Sequence, residues 1–242
     1  MNAQAVAEKR GQYLVCEGFL TYGLLMAVGG WLGAFTYTLR GGVFCNAQTG
    51  NFVLLSMALG NARWGEAAYY FIPITAYMAG AFVSELLFER MRRRSRLRWE
   101  TALVGLEMLV VFALGLVPDS APCQISQIVI NFICSMQYNT FRQLRGVPMA
   151  TTFCTNHIRQ VGANLAKCAC GREEEDRRRV RIHAGMLGAF VAGGAASAVL
   201  CRLAGGRAIW GAGVLLAVIF GALLYADLKK ERALHDRLPG GH

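Results

Sequence analysis

Arg40-Gly41-Gly42-Val43-Phe44-Cys45-Asn46-Ala47-Gln48-Thr49-Gly50-Asn51 is the stretch on which the fold turns, because the second half of the chain rewrites it. Leu39-Arg40-Gly41 recurs as Leu144-Arg145-Gly146, and Thr49-Gly50-Asn51 is replaced by Thr155-Asn156-His157. Further along, Gly80-Ala81-Phe82-Val83 returns as Gly188-Ala189-Phe190-Val191. Short apolar strings recur by chance. Three matches in one order, at offsets of 105, 106 and 108 residues, indicate a duplication instead. The copies cover 17–117 and 122–226 of a single integral membrane domain, 1–242.

Around this motif the chain is too apolar for an ordinary soluble domain. Hydrophobic residues make up 55%, charged residues 17%, and the mean hydropathy is +0.36. The excess falls in blocks long enough to cross a bilayer, which takes about 20 apolar residues as a helix. The expected fold is therefore an all-α polytopic membrane protein. Six stretches qualify as spans: 17–38, 66–89, 99–117, 122–141, 183–203 and 208–226. Two more, 43–59 and 148–166, follow the repeated motif. The first is apolar enough to cross; the second carries Asn156, His157, Arg159, Gln160 and Asn164.

Charge decides between six crossings and eight. If both motif segments dip in and return, 20 of the 25 Lys and Arg share one side; if both cross, the split is 11 against 13. The positive-inside rule favours the first arrangement, with both termini cytoplasmic in a bacterial inner membrane. Each half then crosses three times, so the halves are inverted, as in many transporters whose broken helices meet near the midplane. The same distribution explains the net charge of +10 as topology rather than nucleic-acid binding. No cleavable signal peptide is evident. Most of the eight cysteines lie in apolar segments without a C-x-x-C pair, and Cys168-Ala169-Cys170 lacks neighbouring ligands. No metal and no cofactor is expected.

Phe44 to Asn51, with Met136-Gln137 and Thr151-Thr152-Phe153-Cys154-Thr155, resembles the YoaK-like family of bacterial integral membrane proteins, domain of unknown function 1275. The resemblance runs from about residue 17 to 226 and implies a six-span membrane protein without implying an activity. This chain departs from the family pattern at Asn156, where a glycine is expected.

The residues that carry chemistry cluster on the motifs. Thr49 and Asn51 suit helix N-caps and Gly50 a sharp turn into a short helix, with Thr155 and Asn156 in the same role in the second copy. Two half-helix N-termini facing each other would attract water, a small polar solute or an anion; the alternative is that the caps only satisfy backbone. Gln124, Gln127, Asn131, Ser135 and Asn139 share one face of 122–141, as a pathway lining or as interhelical glue. Glu107 lies about 12 Å into its span, where a carboxylate needs a proton or a partner. Arg159 is the expected partner or an anion selector. His157 faces the same gap or hydrogen-bonds within the bundle. Gly185, Gly188, Gly193 and Gly194 suit close helix packing. Glu85 and Glu89 are expected to pair with Arg90 and Arg93, and 172–179 to be a solvated loop.

These features favour a permease or channel for a small solute or ion, with the bilayer as its surroundings and a homo-oligomer left open. The alternative is a non-transporting scaffold or regulatory membrane subunit. Enzyme motifs such as a nucleophile elbow or a phosphate loop are missing.

Overall fold

A computed structural model describes residues 13–91, 97–171, 174–234 and 237–240. Several basic residues of the charge count, Lys9, Arg10, Arg92, Arg93, Arg94, Arg96 and Arg172, lie outside the described residues. The chain is almost wholly helical: α1 (Phe19–Leu39), α2 (Gln48–Gly60), α3 (Trp64–Met91), α4 (Trp99–Leu114), α5 (Cys123–Thr140), α6 (Thr155–Ala169), α7 (Glu174–Ala204) and α8 (Trp210–Tyr225). A two-residue ladder, β1 (Gln143–Leu144) with β2 (Val147–Pro148), closes the turn after α5. Three helical stretches are long and apolar enough to cross a membrane: Phe19–Leu39, Trp64–Met91 and the run Glu174–Lys230, which takes in α7 and α8. Large apolar side chains such as Phe52, Met78, Phe82, Leu109, Val191 and Val214 are exposed on the outside of the bundle. Water would reject that surface and lipid accepts it, so this is a membrane protein.

Side-chain contacts fix which way each helix runs. Calling the end where α1 begins proximal, Leu39 and Arg40 mark the distal end. Buried Arg40 meets Asp119 of the α4–α5 loop at 3.3 Å, and the Gly206 amide of the α7–α8 turn donates to Asp119 at 3.4 Å. On α3, Tyr69 reaches the Gly41 carbonyl at the distal end, and fifteen residues later Ser84 meets Thr140 Oγ1 at 3.2 Å. Thr140 ends α5 and accepts from Trp99 Nε1 at 2.8 Å, which puts the start of α4 at the proximal end. Thus α1, α4 and α7 run proximal to distal, and α3, α5 and α8 run back.

Arg98 closes the proximal end. It is buried, and its guanidinium faces Asp227 at 3.5 Å and Glu231 at 3.6 Å while donating to the Leu234 carbonyl at 2.6 Å. Asp227 also accepts the Arg98 N–H and the Thr101 hydroxyl, and Glu231 accepts the Val15 N–H at 2.7 Å. Two carboxylates drawn out of water are held by one arginine and several N–H and O–H donors, which is what a buried ion pair needs to offset its desolvation.

Small residues let the long helices touch backbone to backbone. α7 lies along α1, α5 along α3 and α8 along α4. A Cβ on Gly193 would sit 2.0 Å from the Ala27 carbonyl oxygen, and one on Gly80 would sit 2.2 Å from that of Phe132. Gly194 and Gly30 approach each other on the same α1–α7 seam, whereas Gly188 faces open space.

One expectation falls here. The basic-acidic stretch after residue 173 is helix, not loop, because α7 begins at Glu174 with three acidic residues in its first turn, where the helix dipole favours them. Glu175 then pairs with Arg178 and Arg179 at 3.1 and 3.4 Å along one face. Glu85 meets Arg142 at 2.8 Å, with Asn139 donating to the same carboxylate, and Arg93 lies outside the described residues. Gly193→Leu should therefore lower stability by about 1–3 kcal/mol or prevent folding. Gly188→Leu should stay within about 0.5 kcal/mol of wild type. Thermal unfolding in detergent separates the two.

Candidate functional site

Both motif segments dip into the bundle and return to the end they came from. After α1 the chain turns through Gly41 and Gly42, both at positive φ (75° and 70°), and heads back inward. By Asn46 it has descended to Gly29, the eleventh residue of α1, whose carbonyl accepts from Asn46 Nδ2 at 2.8 Å. That is about 15 Å below Leu39 along the helix axis. α2 starts there, with Gln48 donating to Asn131 at the middle of α5 at 2.8 Å, and climbs back to the distal start of α3. From the proximal end the chain turns at Arg145 and Gly146, again at positive φ (47° and 78°), and Thr151 and Thr152 reach the same Gly29. A Cβ there would lie 2.8 Å from the Thr151 carbonyl oxygen and 3.3 Å from Thr152 Cα. α6 then runs back toward the proximal start of α7, where Lys167 meets Asp176 at 3.9 Å.

Irregular backbone at this depth needs internal hydrogen-bond partners. Asn51 supplies them for the first segment: its Oδ1 accepts the Phe44 N–H at 3.1 Å and its Nδ2 donates to the Phe44 carbonyl at 2.7 Å. His157 does the same for the second, with Nε2 2.7 Å from the Ala150 carbonyl. Each tie spans seven residues. Asn51 and His157 are both fully buried and occupy matching places in the two motifs. A carbonyl can only accept, so His157 Nε2 carries the proton and its Nδ1 accepts from His183 Nδ1, 3.0 Å away. His183 Nε2 is then a buried acceptor without a partner among the described residues.

The helix starts differ from the expected capping. The N-cap positions are Ala47 and Cys154, neither making a side-chain cap bond. Thr49 and Thr155 point outward and are exposed. Asn51 sits in the first turn of α2 and Asn156 in that of α6, so neither caps; Asn156 accepts from Arg159 instead, at 3.0 Å. Gly50 is needed because the Phe44 ring lies where its Cβ would be, 2.9 Å away.

Glu107 and Arg159 do not meet. Arg159 is exposed on α6, while Glu107, the ninth residue of α4, is 2% exposed and neither of its carboxylate oxygens has a hydrogen-bond partner among the described residues. Helical phase explains the separation: Glu107 shares the inward face with Glu100, Leu103, Val104, Val111 and Leu114. The α5 stripe is drawn into helix contacts. Gln127 donates to the Arg40 carbonyl at 2.5 Å and to the Tyr69 hydroxyl, Asn131 donates to the Gln127 carbonyl at 2.8 Å, and Ser135 bonds its own helix.

Sequence reading missed five residues of this centre: Asn46, Gln48, Cys45, Cys134 and His183. Asn46 and Gln48 lie inside the quoted motif, but their partners, Gly29 and Asn131, are distant in the chain. Cys45 meets Cys134 at an Sγ–Sγ distance of 3.8 Å, a pairing that no spacing announces. His183 had one available signal, as the polar residue opening an apolar span.

Two outcomes are expected from these contacts. In a chain keeping only Cys45 and Cys134, a mild oxidant should join the two thiols, and titration after denaturation should find none free; two free thiols would place the first segment elsewhere. Asn51→Leu should strip partners from the Phe44 N–H and C=O, at about 1–3 kcal/mol for each buried group, whereas His157→Asn should retain more thermal stability than His157→Leu.

No curated protein and no solved structure matches the chain. One family model does, over residues 22–222, a region that takes in both motif segments and nearly all of α1 to α8. It is the same domain of unknown function that the motif residues resemble. The chain thus belongs to the DUF1275 family, proteins of unknown function.

Proposed function

We propose that this protein is a permease or channel for a small solute or ion, made of two inverted copies whose motif segments bound the transport site. The observation that carries the reading is the meeting of two re-entrant segments, one from each end, at Gly29. Discontinuous segments that meet near the middle of a bundle are the arrangement many transporters use to hold a solute.

The same geometry supports six crossings and an inverted duplication. α1, α3 and α4 run up, down and up, and α5, α7 and α8 run down, up and down. The α1–α7 seam corresponds to the α5–α3 seam, with Gly193 against Ala27 answering Gly80 against Phe132. Asn51 and His157 tie their loops over the same span of seven residues. Arg98, Arg142, Arg145 and Arg177 gather at the proximal end, which supports a cytoplasmic assignment for it and an inner-membrane location.

The alternative, a non-transporting scaffold, is favoured by the α5 stripe, since Gln127 and Asn131 are engaged in helix contacts. The test is in two stages. Single cysteines at 61, 120 and 145, and native Cys170 alone, are exposed positions; 61 and 120 should label from outside the cell and 145 and 170 only from inside. Proteoliposomes challenged with glycerol, potassium chloride or sodium acetate should then relax faster than empty vesicles for at least one solute, with Asn51→Leu at least about tenfold slower (a loss of about 1.4 kcal/mol in rate terms). No relaxation for any of these solutes, in correctly oriented protein, favours the scaffold.

A further inference from the structure

Among the described residues Glu107 is the carboxylate placed at mid-depth, and what surrounds it decides its state. Its own helix packs on α8, α5 and α3 and on the turn Gly205–Ile209. Among the described residues of those elements, the titratable side chain near enough to sense its charge is the Cys134 thiol, which itself lies 3.8 Å from Cys45. Glu100, two turns earlier on α4, lies toward the proximal end beside Arg98; Arg40 and Arg207 belong to the distal end, and Arg159 is exposed on α6. Among the described residues, neither Glu107 oxygen has a hydrogen-bond partner. An ionised carboxylate in that setting has lost its water and gained nothing in return, so the side chain is the neutral acid.

From this we infer that Glu107 carries a proton at the centre of the bundle and that the proton is an ion this protein moves, resting on the permease reading above. A neutral acid without hydrogen bonds is poised for the exchange. When the site opens to one side, water solvates the carboxyl and takes the proton to that side; when it opens to the other, the carboxylate takes a proton back before it is buried again. Proton bookkeeping is complete with water as donor and acceptor. Gly29 and the two motif segments stand at the same depth in the bundle, so the charge change falls where the re-entrant segments meet. A lone buried glutamate with a structural purpose would be expected to hold a partner, and this one holds none among the described residues.

Infrared spectroscopy of the protein in lipid reads the proton directly. At neutral pH the wild type should show the carbonyl stretch of a protonated carboxyl free of hydrogen bonds, and Glu107→Gln should lose it. Glu107→Asp, in case the Gln variant misfolds, should shift it. Absence of that band from folded wild-type protein overturns the inference. In parallel, vesicles loaded with a pH-sensitive dye and given a pH step should equilibrate at least tenfold faster with wild type than with Glu107→Gln. Equal rates overturn the inference. Solute relaxation that persists unchanged in Glu107→Gln would also overturn it and leave the permease reading standing. A wild type that moves neither proton nor solute would sink the permease reading itself, with the infrared band still reporting whether Glu107 is protonated.

Discussion

Backbone polar groups buried inside a bundle cannot be left unpaired, and this protein brings two non-helical segments together there, at Gly29. Everything at the centre is arranged around that constraint. The loop after α1 carries its own remedies, Asn46 for the carbonyl of Gly29 and Asn51 for both backbone groups of Phe44. The loop after α5 uses a histidine for the same purpose, and that histidine is in turn held by a second one on α7. The same groups that satisfy the loops also fix their positions. Asn51 and His157 therefore have a structural task.

The long helices supply the frame that makes such loops affordable. Gly30, Gly193 and Gly194 bring α1 and α7 into backbone contact, and Gly80 does the same for α3 and α5. Without a hydrophobic driving force between helices in lipid, close van der Waals approach is what holds them. At the proximal end the bundle is fastened differently, by Arg98 with Asp227 and Glu231. That buried network joins the N-terminal turn, the start of α4 and the segment after α8, so any motion that opens the proximal end has to move ionic contacts as well as apolar ones. At the distal end the tie is lighter, one buried arginine against an aspartate whose side chain is 66% exposed. The proximal ion pairs are thus the more deeply buried of the two ties.

Much of the fold was legible in the chain. Apolar length found the long helices to within a few residues at most ends, and the exception, α7, was misread because charged residues look like loop until their helical spacing is counted. Glu175 with Arg178 and Arg179 is an i, i+3 and i+4 set that could have been recognised. The equivalence of Asn51 and His157 was also legible, since it rests on local sequence on either side of a short helix. The glycine match was legible only in kind. Gly80 and Gly188 align by their neighbours, yet it is Gly193 that makes the contact, because a helix packs by the face it turns to its partner and not by its position in a string.

What the sequence determined by itself is therefore the membrane setting, the helical segments, the repeated motif and its family, all of which depend on composition and on residues near one another along the chain. Partners across the bundle were decided only in three dimensions. Glu107 and Arg159 looked like a pair because both are charged residues in apolar surroundings, but helical phase turns one inward on α4 and the other outward on α6. Cys45 with Cys134, Gln48 with Asn131 and His157 with His183 lie 89, 83 and 26 residues apart. No periodicity spans such separations. Rotation of each helix about its axis is set by the packing of all the others, and that is what tertiary structure alone could settle.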